Sequence, residues 1–248
     1  MGVARTKILE CARVIMLALL AAGVSCDSAN PSAPNRGFTI VPDTKSLRVT
    51  ETVQFSAMSD GNVVAPAWSS SAPNVVTVSQ TGSATGVAVG SAVITADAGS
   101  MSASRTMQVV SDYRGQYSGT AIITRCVRLS GSGPASSCVV GARFAINVLT
   151  LDQQTGTAVT GTLNLFAEST IGAVTGTVDE NDHISSMSGT LRSSGEDAVV
   201  VTIERWDTVL AGDRRQLNGS FGVDMQFQNG FGPQHQDIDF SFSDVVRQ

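Results

Sequence analysis

Along the second half of the chain, apolar and polar residues alternate one by one. Val223, Met225 and Phe227 are separated by Asp224 and Gln226, and Ile238, Phe240 and Phe242 by Asp239 and Ser241. A period of two is that of a strand with one buried and one wet face. The pattern predicts strands over 115–128, 139–151, 157–167, 171–179, 183–193, 198–206, 215–228 and 236–246. A short motif (apolar, polar, Gly, Ser or Thr, apolar) recurs around Gly119, Gly161, Gly176, Gly189 and Gly219. Glycine inside a strand marks a bulge or sharp bend, as at barrel corners. Eight antiparallel strands in chain order predict a small up-and-down barrel or curled meander for residues 113–248. The sequence leaves open which side chains point inward, because bulges shift the register.

The stretch 37–110 has a denser rhythm. Short alternating runs such as Val53-Gln54-Phe55-Ser56-Ala57 and Ala92-Val93-Ile94-Thr95-Ala96 are punctuated by turn residues at Asp60-Gly61, Pro73-Asn74, Thr81-Gly82 and Gly90. About seven short strands in so few residues predict a two-sheet sandwich. The segment from Trp68 through Ser69-Ser70-Ser71-Ala72-Pro73-Asn74-Val75-Val76-Thr77-Val78, then Thr81-Gly82 and Gly86 to Ala96, resembles the bacterial Ig-like domain, group 2. Ala84-Thr85-Gly86 departs from the family, which more often carries a bulkier aliphatic residue there. The resemblance implies a spacer or adhesive module of cell-surface proteins, places Trp68 in the core and implies no catalysis. Ser111-Asp112 marks the boundary with the second unit. That unit resembles lipocalin-like or avidin-like barrels in architecture only, since no signature residues of either are present.

The first residues follow neither rhythm. Arg5, Lys7 and Arg13 precede an apolar run from Val14 to Ala22, followed by the small residues Gly23-Val24-Ser25 and then Cys26. A basic start and a short apolar stretch describe a secretory signal, too short for a spanning helix of about 20 residues. Val24-Ser25-Cys26 resembles the bacterial lipobox, from which Gly23 departs. The resemblance implies a signal peptide over 1–25, cleavage before Cys26 and lipidation of Cys26. Asp27 to Arg36, rich in Pro, Ser and Asn, reads as a tether over 26–36 that buries no core.

Composition supports an all-β reading and narrows the function. Sixteen basic and 21 acidic residues give a net charge of −5. Cleavage before Cys26 would make the remainder more acidic still. With Lys7 and Lys45 the only lysines, the chain lacks the basic face that a nucleic acid requires. Cys126 and Cys138 remain after signal and anchor have used Cys11 and Cys26. An even pair in an oxidising compartment is expected to form a disulfide, worth about 3 kcal/mol in the chain-entropy model. Two cysteines without a nearby histidine make no zinc site.

Candidate chemistry is sparse. His183, in Asp179-Glu180-Asn181-Asp182-His183, and His235, in Gly232-Pro233-Gln234-His235, read as polar turn residues. No Gly-x-Ser-x-Gly elbow occurs. Asp179–Asp182 could offer oxygen ligands to calcium but lacks EF-hand spacing. Glu196, Asp197, Glu204 and Asp207 could supply a carboxylate pair for glycoside hydrolysis, and solvated strand ends explain them better. Trp206, beside Arg205, is expected to fill the barrel or close one end. The expectation is a non-catalytic cell-envelope lipoprotein without cofactor or metal, in which an Ig-like spacer presents a β-barrel. Its partners would be the membrane, through the anchor, and a glycan, lipid or envelope protein reached by the barrel or by loops around Cys126–Cys138 and Asp207–Arg215. The alternative is a carrier of a small apolar ligand inside the barrel, and an envelope hydrolase ranks below both.

Overall fold

The structure is a computed structural model that describes residues 37–132, 139–165, 170–193, 199–211, 215–229 and 231–248. The signal, Cys26 and the tether lie outside these residues, as do Cys138, Glu196 and Asp197. Arg36–Gln248 form one compact unit, and every described element in it is a β-strand.

The sandwich uses ten short strands where seven were expected. They are β1 (Thr39–Val41), β2 (Ser46–Arg48), β3 (Thr52–Gln54), β4 (Ser56–Ser59), β5 (Asn62–Val64), β6 (Ala67–Ser70), β7 (Val76–Val78), β8 (Ser83–Gly86), β9 (Gly90–Ala98) and β10 (Met101–Val110). They pair as β1-β4-β5, β2-β10-β9-β6 and β3-β8-β7, and β2 runs parallel to β10. The extra strands arise because Phe55 interrupts the run 52–59: its amide bonds the Gly82 carbonyl at 2.8 Å, which splits the run between two sheets. Phe38, Ile40, Leu47, Phe55, Val76, Ile94 and Met107 are buried together with Trp68, whose ring stacks on Phe55 at 6.3 Å. Trp68 is therefore a core residue, as the alternation of β6 requires.

The second unit is a closed barrel of eight strands in chain order. They are β11 (Gly115–Ser130), β12 (Arg143–Thr155), β13 (Ala158–Leu165), β14 (Thr170–Val178), β15 (His183–Ser193), β16 (Val200–Leu210), β17 (Gln216–Asn229) and β18 (Gly232–Arg247). Antiparallel pairing of β18 with β11 closes it. The motif glycines sit where a neighbouring strand presses on the backbone. A Cβ on Gly119 would lie 2.8 Å from the Asp244 carbonyl, and on Gly161 it would strike the Thr150 carbonyl. Pairing slips beside Gly119, Gly161 and Gly219, so these glycines mark bulges that bend the sheet into a closed wall.

The barrel is filled. Trp206, Phe221, Phe240 and Phe242 are buried in its interior with Ile123, Leu149, Leu163, Met187, Leu191, Ile203 and Val223. Trp206 stacks on Phe221 at 5.1 Å and Phe221 on Phe240 at 4.7 Å. The indole N–H, which would otherwise be stranded in this apolar column, donates to the Thr208 hydroxyl at 2.9 Å. Most polar side chains point outward, with Thr208, Gln234 and Gln236 among the buried exceptions. This is the inverse of a membrane-spanning barrel, whose outer band is apolar. Among the described residues no helix is long and apolar enough to cross a membrane.

A joint couples the two units. Asp182, in the turn before β15, accepts from the Ser111 amide at 2.7 Å and from its hydroxyl at 2.5 Å. The Tyr113 hydroxyl donates to the Asp182 carbonyl, and Gln108 donates to the Asp179 carbonyl at 2.8 Å. Gln154 accepts from the Tyr113 amide at 2.8 Å and donates to the Ser111 carbonyl at 2.9 Å. Arg247 closes the chain of contacts, donating to the Tyr117 hydroxyl and the Asp112 carbonyl. Tyr113 and Tyr117 are fully buried, and burial pushes both phenols above their ordinary pKa. Ser111-Asp112, expected to be a boundary, is thus bonded to the barrel, and Gln108 at the end of β10 reaches the same turn.

Candidate functional site

The candidate site lies on the outer wall of the barrel. Its origin is a break in the β15–β16 ladder. The strands pair at Ile184↔Thr208 and again at Gly189↔Ile203, with no pairs between. Bulges on both flanks explain the break: pairing slips between Thr177 and Val178 against β15, and between Ile203 and Arg205 against β17. Ser185–Ser188 and Glu204–Asp207 therefore face each other without forming a ladder, and they line a groove of about 870 Å³.

Hydroxyls and charges line this groove. Thr175 and Thr177 come from β14, Ser220 from β17 and Thr124 from β11. Across the floor, Arg205 lies between three carboxylates, 3.0 Å from Glu204 and 2.8 Å from Asp239, with Asp237 also in contact. Arg125 bonds Asp237 at 2.7 Å from the opposite side. These bonds tie β11, β18 and β16 together across β17. Hydrogen bonds from Arg125, then from Arg205, hold the Asp237 carboxyl below its usual range despite some burial. The guanidinium of Arg205 reaches Asp237 and Asp239 by lying over Gly222, where a Cβ would collide with it. At the groove's edge, His183 Nδ1 is 2.8 Å from Asp207.

The sequence-based candidates are placed as follows. His183 opens β15, and its amide bonds Asp179 at 3.0 Å. That bond is the main cause of the lowered Asp179 pKa. His235 corrects the expectation of a turn. It lies within β18, half-buried against Asp224. Gly232-Pro233 begins a strand here, because Pro233 pairs with Gln228 right after a tight hairpin. Among the described residues, the imidazoles of His183 and His235 bond Asp207 and Asp224, not a hydroxyl or thiol. Glu204 and Asp207 both stand on the open wall, paired with Arg205 and His183 respectively. Among the described residues no group of three His, Cys, Asp or Glu is gathered for a metal. Cys126, on β11, is disulfide-bonded, and its expected partner Cys138 lies outside the described residues. Trp206 fills the interior rather than presenting an edge to ligand. Sequence reasoning did not single out Arg125, Asp237, Gly222 or the hydroxyl wall. The period-two spacing of Asp237 and Asp239 was the available signal.

Comparison with known proteins supports the first unit. Residues 36–109 match the model of the bacterial Ig-like domain (group 2). No curated protein matches the chain. Among solved structures, domains 5–6 of the S-layer protein SbsC align over 82% of this chain and 95% of that one, at 14% identity and a TM-score of 0.26. That score is too low to support an argument about fold or function. The Ig-like match stands on its own, and such sandwiches are common in cell-surface proteins.

Proposed function

We propose that this chain is a non-catalytic lipoprotein of the bacterial cell envelope. In this reading Cys26 carries the lipid, Cys126 and Cys138 form a disulfide, and the Ig-like domain presents a barrel that binds through its outer wall. The observation that carries the outer-wall reading is the packed interior. The Trp206–Phe221–Phe240 column occupies the space an apolar ligand would need. A packed interior counts against the carrier alternative, and the groove of about 870 Å³ at the β15–β16 break offers an outer-wall site instead.

Two experiments test the proposal. Replacing Cys26 with Ser and fractionating cells should move the protein from membrane to soluble fractions, and unchanged membrane association would defeat the anchor. A photo-crosslinking residue at Ser186, inside the groove, should yield envelope adducts in cells that the same residue at exposed Asp152 on β12 does not. Equal labelling from both positions would defeat the groove as the interaction face.

A further inference from the structure

We infer that the groove binds a neutral glycan chain, an inference that rests on the outer-wall reading above. Charge decides first. Glu204, Arg205, Asp207 and Asp239 line the groove, so its lining carries more negative than positive groups. Its one guanidinium is already committed to Glu204, Asp237 and Asp239. An anionic ligand such as a phosphate or uronate would meet carboxylates and find no open cation. An apolar ligand fares no better, because Met187, Trp206, Phe221 and Phe240, the large apolar residues of the lining, are buried. Their side chains belong to the barrel core.

The remaining groups match a polyhydroxylated chain. Carboxylates fixed by an arginine are strong acceptors for sugar hydroxyls, and serine and threonine hydroxyls can both donate and accept. The side-chain hydroxyls of Thr177, Ser186 and Ser220 make no hydrogen bond among the described residues, and all three border the groove. Asp207 uses one oxygen on His183 and is mostly exposed. The volume is within the range of about 300–1,000 Å³ of small-molecule sites. The groove is open, and six strands contribute to its lining, so its ligand is a chain laid across the wall rather than an enclosed monosaccharide. Gly222 keeps the floor flat by letting Arg205 lie down.

The test uses the full-length protein in a detergent without a sugar headgroup. Saturation-transfer NMR is run against maltohexaose, cellohexaose, mannohexaose and chitohexaose, with polygalacturonate as the anionic control. The inference expects at least one neutral hexasaccharide to bind with a Kd near or below about 1 mM, an affinity of about −4 kcal/mol. The double variant Glu204→Gln/Asp207→Asn should weaken that binding about tenfold or more while keeping the native near-ultraviolet circular dichroism. Asp152→Asn, on a strand that does not line the groove, should leave it unchanged. Absence of transfer to all four neutral sugars overturns the inference. So does tighter binding of polygalacturonate, or equal binding by the double variant. If the sugars fail while the Ser186 crosslinker still gives its specific envelope adduct, the glycan assignment falls and the outer-wall reading stands. If both fail, both fall.

Discussion

The sandwich and the barrel bury their side chains in different ways. In the sandwich, eight strands of three or four residues and the longer β9 and β10 form three small sheets around one stacked pair, Phe55 and Trp68. In the barrel, strands of eight to sixteen residues form one closed cycle around an aromatic column. The barrel invests its large aromatics inside and its Ser, Thr, Asp and Arg residues outside. The difference leaves the barrel with a wall that holds polar groups in fixed positions.

The largest expected effect breaks this contrast at the column. Phe221→Ala removes a ring stacked on two others and should cost about 3–5 kcal/mol. Denaturant titration followed by Trp206 fluorescence would measure it. A loss below about 1 kcal/mol would mean that the column does not anchor the barrel. Gly161→Ala should cost about 1–3 kcal/mol, because its methyl group strikes the Thr150 carbonyl at a bulge where the wall cannot give. The same titration reads it, and a neutral result would show that the glycine is dispensable for curvature. Asp182→Ala removes both acceptors of the Ser111 bonds and should cost about 1–3 kcal/mol. Calorimetry should then resolve separate sandwich and barrel transitions, and one unbroken transition would show that the joint lies elsewhere.

The smallest effect concerns pH. The Asp237 carboxyl is held below its ordinary pKa in the folded wall. Its contribution is present above the unfolded carboxylate value, near pH 4, and is lost as pH falls through the lower folded value. Because both arginines are about half exposed, it should amount to at most about 1 kcal/mol. Asp237→Asn should flatten the acid limb of the stability–pH curve below about pH 4. An unchanged limb would show that the Arg125–Asp237–Arg205 bridge is not stabilising.

Much of the barrel was legible because its signal is local. Strand β15 was expected over 183–193 and spans His183–Ser193, and β14 was displaced by one residue. Three of the five motif glycines, Gly119, Gly161 and Gly219, lie beside bulges, as a missing side chain inside a strand suggests. The groove was not legible. It depends on bulges on two flanks of the same strand pair, and neither Ser185–Ser188 nor Glu204–Asp207 reads as anything but alternating strand. The inward face was undecidable for the same reason, whereas closure of β18 on β11 fixes it in the structure. His235 was misread because Gly232-Pro233 carries the composition of a loop, although proline at the first positions of a strand costs little pairing.

The joint at Ser111–Arg114 has a hydrodynamic consequence. Ser111 and Asp112 are bonded to Gln154, Asp182 and Arg247 of the barrel, and Gln108 of β10 bonds the Asp179 carbonyl beside them, which restrains a swivel between the two modules. Sandwich and barrel should therefore share one rotational correlation time, and a dipolar tensor measured on the amides of β9 should predict the couplings of β17.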